Sequence, residues 1–424
     1  MRVLLVGGGG REHALARALA GSPEITRLVA APGNPGIARH ADCVAVKDTA
    51  VDELLALARR ERVDLAVIGP ELPLSLGLAD RFREAGLLVF GPSAAAARIE
   101  SSKTFAKELM ARHGIPTARH AAVADAAAAR AYCRELGVPL VVKADGLAAG
   151  KGVIVCPTLE AADRAVAFCL EDRGFGEAGA SVVIEEFMAG EEASFFVLSD
   201  GETALPLAAA QDHKTVFDGD RGPNTGGMGA YSPAPVLGAA MQERVMAEIA
   251  LPTIRAMRKE GVPYQGVLYI GLMIDTQGPR VVEFNCRFGD PECQAILPRL
   301  GADLLPLLAA VADGKGLPDS LAWRQEASVC VVLASAGYPG AYETGRAIRG
   351  VEDAEGRPGV TVFHAGTAVR EGGLFTAGGR VLGVQALGGG IESAIARAYD
   401  AVARISFEGM HFRTDIGRKA VARR

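Results

Sequence analysis

The sequence predicts an α/β protein in three parts: an N-terminal parallel α/β domain (1–101), a central α+β segment (102–325) and a small C-terminal α+β domain (326–424). Three observations predict it. Apolar runs alternate with helical patterns through the first hundred residues, the rhythm of a parallel sheet with crossover helices. The glycine loop Lys143 to Gly152, KADGLAAGKG, directly follows the apolar run Val138 to Val142. The last hundred residues carry Gly, Val and aromatics at strand spacing before one long helical pattern, Ile391 to Ser406.

Composition limits the function classes. A chain of 424 residues, 49% hydrophobic and 22% charged, is long enough for several packed cores and too apolar for disorder. With 45 Lys+Arg against 50 Asp+Glu, the net charge of -5 gives no basic field for nucleic acid or an anionic membrane, so small-molecule partners are expected. The seven cysteines (43, 133, 156, 169, 286, 293, 330) are odd in number, scattered and without a Cys-x-x-Cys pair. That pattern disfavours a disulfide framework and a thiolate zinc site and fits a reducing cytoplasm. No stretch reads as an export signal or a membrane span.

The N-terminal domain is read from the runs Val3 to Val6, Leu28 to Ala31, Leu65 to Ile68 and Leu87 to Phe90, with a helix over Val51 to Arg60. Its turns are GGGG at Gly7 to Gly10, APGNPG at Ala31 to Gly36 and GPE at Gly69 to Glu71. Such turns line the ligand crevice at the strand C-termini of an open parallel sheet. The dinucleotide fingerprint G-x-G-x-x-G fails, because its last position falls on Glu12 or His13. What remains is a glycine turn feeding a helix from about Arg11, whose N–H groups suit one phosphate, with a packing turn as the alternative.

In the central segment, the alanine-rich stretch Ala121 to Tyr132 reads as a scaffold helix. The loop after it can hold phosphates but is not a Walker loop. Only three residues separate Gly146 from Gly150, and Gly152 stands where the magnesium-binding Ser or Thr should be. A metal must therefore be held from elsewhere. Arg280 to Glu292, RVVEFNCRFGDPE, answers that need: strand period places Glu283 and Asn285 on one face, two oxygen ligands suited to Mg2+ or Mn2+, and Arg287, Asp290 and Glu292 follow in a charged turn. A surface strand with a wet side is the alternative. VVIEEFMAGEEASF, Val182 to Phe195, reads as strand, turn and strand, the form of a hinge that reads an adenine edge through Glu185, Glu186, Phe187 and Met188. Glu192 is a ribose acceptor or an exposed hairpin carboxylate. Gln211 to Pro233 is too glycine-rich and irregular for helix or strand and is expected to be a long functional loop. Strands at Ser328 to Ala334, Val360 to His364 and Arg380 to Ala386 complete the C-terminal domain.

The strings GGGGREHALA, APGNPG, GPELPL, KADGLAAGKGVIV, EEFMAGEEASF, QDHK, GPNTGGMGAYSP and EFNCRFGDPE follow one another in an order that resembles the glycinamide ribonucleotide synthetases (phosphoribosylamine–glycine ligases) of the ATP-grasp superfamily. The likeness covers nearly the whole chain, and the last two strings are the most family-specific. Gly8 stands where the family often has Asn or Ser, and Gly271 occupies a position often held in the wider superfamily by a second acidic metal ligand.

The resemblance implies a central ATP-grasp fold with a small mobile lid at about 118–188, and ATP-dependent joining of glycine to 5-phosphoribosylamine through glycyl phosphate. The products are glycinamide ribonucleotide, ADP and phosphate, the second step of purine biosynthesis. It implies ATP contacts at Lys103, Lys143, Gly150, Lys151 and Gly152, with Lys151 also catalytic. Arg287 would pin the glycine carboxylate or the acyl phosphate, and Asp212 would receive the ammonium. Gly9 and Gly10 would take the sugar phosphate, with Asn34, Glu71 and Asp290 near the ribose or its amine. A monomer is expected. Two other readings are weighed: an ATP-grasp carboxylase or carboxyamine ligase acting on a later purine intermediate, and a dehydrogenase-type nucleotide-binding protein, which the broken fingerprint opposes. If the glycine loop closes over ATP, the double variant Gly150→Val, Gly152→Val lowers turnover by at least about tenfold with the circular-dichroism spectrum unchanged; wild-type turnover in that variant removes the lid role.

Overall fold

The computed structural model describes residues 1–147 and 152–423. Gly150 and Lys151, expected to touch ATP, lie outside the described residues.

The first strand, Arg2–Gly7, is apolar and buried and becomes the centre of a five-stranded parallel sheet. Across the sheet the order is Asp42–Cys43, Arg27–Pro32, Arg2–Gly7, Leu65–Ile68, Leu88–Phe90. Chain direction across the sheet reverses at that central strand, so its C-terminal end is the switch point where a crevice opens. Three turns meet there. Gly33 N–H donates to the Gly7 carbonyl at 3.1 Å and Gly69 N–H to the Val6 carbonyl at 3.0 Å. A Cβ on Gly8 would stand 2.6 Å from the Gly33 carbonyl oxygen, so the close approach of these turns requires glycine.

The helix Gly10–Ala20 follows at once. Next to the sheet, Lys103–His113 begins at Ser102, whose hydroxyl accepts from Phe105 N–H, and ends at Gly114 with φ of 66°, a polar cap and a left-handed stop.

Two antiparallel sheets form the middle of the chain. One runs Ala204–Pro206, Glu191–Asp200, Gln265–Ile274, Pro279–Asn285. The other, smaller sheet runs His120–Val123, Val182–Glu186, Leu140–Ala144, Val153–Cys156, and it has its own core of residues such as Cys133, Val142, Val166 and Ile184. The alanine-rich stretch is therefore not one helix. Its first residues pair as the strand His120–Val123, and the helix Ala126–Leu136 starts only after Asp125, whose carboxylate caps Ala128 N–H at 2.8 Å.

The segment Gln211 to Pro233 also departs from the expected loop. It contains the short strands Gln211–Asp212, Thr215–Phe217, Arg221–Asn224 and Gly229–Ser232. Two of them extend the C-terminal sheet, whose order is Gln211–Asp212, Gly229–Ser232, Ala327–Ala334, Arg380–Gly388, Val360–His364. The helix Ile391–Val402 covers that sheet with Ala394, Ala398 and Ala401.

His13, from the first helix, is wedged against this C-terminal part. Its Nδ1 accepts from His364 N–H at 2.7 Å, and its ring meets Phe363 edge-on. Burial, with His364, His40, Arg39 and Arg17 nearby, lowers its pKa from 6.5 to about 2. The native state thus keeps His13 neutral while the unfolded chain protonates it below pH 6.5, so the stability it contributes is present above that pH and is lost as pH falls towards 2. Stability in urea should fall by up to about 1.4 kcal/mol per pH unit below 6.5 on its account, and His13→Gln should flatten the slope between pH 6.5 and 4.5; an unchanged slope refutes the assignment.

Candidate active site

A cleft of about 520 Å³ lies between the two middle sheets and the N- and C-terminal parts. Strand Pro279–Asn285 forms its floor, and side chains two residues apart on a strand share a face, so Glu283 and Asn285 both line it. Gly271 pairs with Glu283 in register. A Cβ there would stand 3.2 Å from Glu283 Cγ and 3.2 Å from Tyr269 Cε1, so a side chain at that position would require both neighbours to give by a few tenths of an ångström.

One wall is basic. Lys143 Nζ lies 3.0 Å from Glu185 Oε2 and donates to the Val282 carbonyl at 3.0 Å. Lys107 Nζ lies 3.1 Å from the other oxygen of Glu185 and donates to Thr117 Oγ1 at 2.7 Å. Lys103 Nζ donates to the Gly146 carbonyl at 3.3 Å. Burial depresses Lys103 and brings Lys107 down to about 8. Gly152, at the end of the glycine loop, is buried and lines the same wall.

The facing wall is acidic. Lys214 Nζ is its ammonium, 3.4 Å from Glu283 Oε1 and 3.6 Å from Glu192 Oε2. Burial opposes the Lys214 charge, but Glu192, Tyr269, Glu283 and Asp212 push its pKa well above the usual value. Asp212 is buried; burial, against the pull of Lys214 and with the repulsion of Glu292, Glu192 and Glu283, pushes it up to about 8. For Glu283 the balance is reversed. Burial would raise it, yet Lys214, Lys143, Lys103 and Arg287 together hold it down to about 2. Asp212, Glu192 and Glu292 thus crowd around Lys214, while Glu283 also faces Lys143, Lys103 and Arg287.

Arg287 sits at the end of the floor strand. Its guanidinium is 3.1 Å from Glu71 and 3.0 Å from Glu100. Beyond it Asp290 pairs with Arg380 at 3.1 Å and accepts from Gln294 at 2.8 Å. Arg11, Thr225 and Gly226 line the same end of the cleft.

The expected site residues divide. Lys103, Lys143, Gly152, Glu185, Glu192, Asp212, Glu283, Asn285, Arg287, Glu71 and Asp290 come together around this one cleft. Glu186, Phe187 and Met188 are not among its described lining residues. Glu186 faces outward onto Arg119 at 2.9 Å and Arg280 at 3.2 Å, and Glu185 spends its carboxylate on lysines.

Asn34 is held by backbone groups of several turns. Its amide donates to the Gly8 and His364 carbonyls, each at 2.9 Å, and its oxygen accepts from Gly36 and Ile37 N–H. These bonds make it a clamp between turns. Gly9 N–H is likewise taken by Glu12 at 2.7 Å, so a carboxylate occupies one of the helix-start donors expected to hold phosphate. Gly10 approaches Asp290, whose Oδ1 would be 3.7 Å from a Cβ there. Lys107, Glu100, Lys214 and Arg380 also line the cleft without having been expected there, while Arg11 was expected only as a helix start and Glu292 only as part of a charged turn.

Matches to the phosphoribosylglycinamide synthetase family fall on residues 1–100 (its N domain), 101–293 (its ATP-grasp (A) domain) and 328–419 (its C domain). Phosphoribosylamine–glycine ligases of Mesorhizobium japonicum and Rhizobium meliloti are 55% and 54% identical over 423 residues, covering 100% of this chain and 99% of each relative. The crystal structure of the phosphoribosylamine–glycine ligase of Thermotoga maritima superposes with a TM-score of 0.87 at 33% identity, over 98% of this chain and 100% of that one. A biotin carboxylase of Campylobacter jejuni shares the fold, with a TM-score of 0.75 at 17% identity over 98% of this chain and 94% of that one.

The basic wall supplies its own test. Glu185→Ala leaves Lys107 and Lys143 buried without their shared counter-charge, and unfolding in urea should show a loss of about 3–5 kcal/mol. A loss below about 1 kcal/mol means that the two lysines do not depend on Glu185.

Proposed function

The chain belongs to the phosphoribosylglycinamide synthetase family of ATP-grasp ligases, and from that membership we propose that its cleft joins glycine to 5-phosphoribosylamine with ATP. The products are glycinamide ribonucleotide, ADP and phosphate, in purine biosynthesis. The observation that carries the reading is the opposition of two charged walls. Lys103, Lys107 and Lys143 exceed Glu185 on one side, and four carboxylates exceed Lys214 on the other. A polyphosphate suits the first wall; a divalent cation and an ammonium suit the second.

A carboxylate is a poor electrophile for an amine. The glycine carboxylate oxygen therefore attacks the γ-phosphorus of ATP first, forming a new O–P bond as ADP leaves. The sugar amine nitrogen then attacks the acyl carbon of glycyl phosphate, and phosphate departs with the C–O bond electrons. Such transfers depend on positioning and charge neutralisation more than on covalent help. Lys103 and Lys143 place positive charge where the phosphates lie, and the glycine-loop Lys151 is assigned to the same task.

Glu283 and Asn285 would hold Mg2+ or Mn2+, whose chemistry here is to neutralise phosphate oxygens. Glu283 is held ionised, and no three His, Cys, Asp or Glu side chains among the described residues form a complete metal site. That donor set fits a cation whose coordination is completed by phosphate and water oxygens. Arg287, oriented by carboxylates on two sides, takes the glycine carboxylate or acyl phosphate in bidentate fashion. Asp212 accepts the ammonium in the acidic wall. Gly10, at the helix start beside the crevice of the parallel sheet, is assigned to the sugar phosphate, and Asp290 and Glu71 to the ribose or its amine. The smaller sheet at about 118–188 acts as the lid that keeps water from glycyl phosphate. The seven free thiols support a reducing cytoplasm as the setting.

The deciding measurement is a coupled ADP assay with each substrate omitted in turn. ADP should form only when ATP, glycine, phosphoribosylamine and a divalent cation are all present; sustained ADP release with bicarbonate in place of glycine rejects this reading. In the same assay Glu283→Gln should lower kcat by at least about a hundredfold, the scale of losing one electrostatic contact to the transition state, and near-normal activity rejects the metal assignment.

A further inference from the structure

Glu100 is the second-last residue of the helix Ala94–Ser101, is only 8% exposed and lies beside the cleft without a place in the chemistry above. All of its contacts go to one short stretch of the floor strand and its end. Its Oε2 accepts from Cys286 N–H at 2.6 Å. Its Oε1 stands 3.0 Å from Arg287 Nη2, and the acceptors around Asn285 assign its amide the orientation in which the nitrogen donates to Glu100 Oε1 and to the Phe284 carbonyl, each at 3.0 Å. One carboxylate therefore grips three successive residues: Asn285, Cys286 and Arg287.

We propose that Glu100 is a positioning residue that fixes the Asn285 amide and the Arg287 guanidinium relative to each other, and so aligns cation and glycine carboxylate for transfer. This rests on the reading above, in which Asn285 holds the cation and Arg287 the acid. Donating its nitrogen to Glu100 turns the Asn285 oxygen outward as the acceptor a hard cation needs. Arg287 is held at each nitrogen, because Glu71 takes Nε, Glu100 takes Nη2 and the Phe288 carbonyl accepts from Nη1. A guanidinium held in this way keeps one orientation, and its remaining N–H groups lose little freedom when they bind a carboxylate. The burial of Glu100 is costly by itself, since desolvation raises its pKa, and its three contacts with the catalytic strand offset that cost.

The test uses Glu100→Gln, which keeps size and one acceptor but sets an NH2 group against the donors of Arg287 or Asn285. The KM for glycine should rise at least about tenfold, and calorimetric titration of Mg2+ into the protein with ADP should show weaker cation binding by a similar factor. The KM for phosphoribosylamine should move less than about twofold. Placed on Arg287→Lys, the same change should cost much less than on wild type, the signature of coupled residues. Glu100→Asp, which keeps charge but loses reach, should fall between wild type and Glu100→Gln, and it serves alone if Glu100→Gln does not fold. Wild-type KM for glycine and wild-type cation affinity in a variant that merely melts lower, or additive effects in the double variant, overturn the proposal. Failure of the reaction assignment looks different: the wild-type protein itself would then release ADP without glycine.

Discussion

The buried contact of Glu185 with Lys107 and Lys143 is the interaction on which the rest of the cleft depends. It joins four pieces of chain at one point: the helix Lys103–His113, the two inner strands Val182–Glu186 and Leu140–Ala144 of the smaller sheet and, through the Lys143 bond to the Val282 carbonyl, the floor strand. Thr117 adds a second tie, accepting from Lys107 and donating to the Val281 carbonyl at 2.7 Å. Two buried ammonium groups on one carboxylate leave an uncompensated positive charge. With Lys103 beside them, that surplus fixes where an anion must sit, because an unpaired buried charge is too costly to leave unanswered.

The strap Gln211 to Pro233 sets the opposite wall. Gln211 and Asp212 pair with Tyr231 and Ala230, and the strand Gly229–Ser232 pairs in turn with Ala327–Ala334. Asp212 and Lys214 are thus presented from the edge of the C-terminal sheet, although they stand in the middle of the sequence. The Gln211 amide donates to the Glu192 carbonyl at 2.8 Å while its oxygen accepts from Tyr231, which ties the strap to the sheet that carries Glu192. Arg413, fully buried, grips Thr215, Asp220 and Asp415 behind it.

What could be read in the sequence was whatever a short window contains. The period of two in RVVEFN placed Glu283 and Asn285 on one face, and the apolar run before KADGLAAGKG placed Lys143 at a strand end. Glu100 and Lys107 gave no such sign, for each sits in a helix whose neighbours look ordinary, and the Glu100 bond to Cys286 N–H spans 186 residues. The strands of the strap run two to four residues, too few to show alternation; pairing with a distant strand defines them. The structural part of Asn34 was hidden in the same way. A turn asparagine beside glycines suits a ligand as well as it suits a clamp, and its bonds to the Gly8, His364, Gly36 and Ile37 backbones form only once distant turns meet.

The two walls also explain why the acids differ so widely among themselves. Glu283 faces Lys214, Lys143, Lys103 and Arg287, which outweigh its burial and hold it down to about 2. Asp212 is buried deeper in the acidic cluster and is pushed up to about 8. Burial and the neighbouring Glu292, Glu192 and Glu283 all oppose a charge on Asp212, and Lys214 offsets them only in part. Glu283, on the same wall, escapes that fate because the basic wall and Arg287 reach it as well. The difference between the two acids is therefore set by how far the field of the facing lysines extends across the cleft.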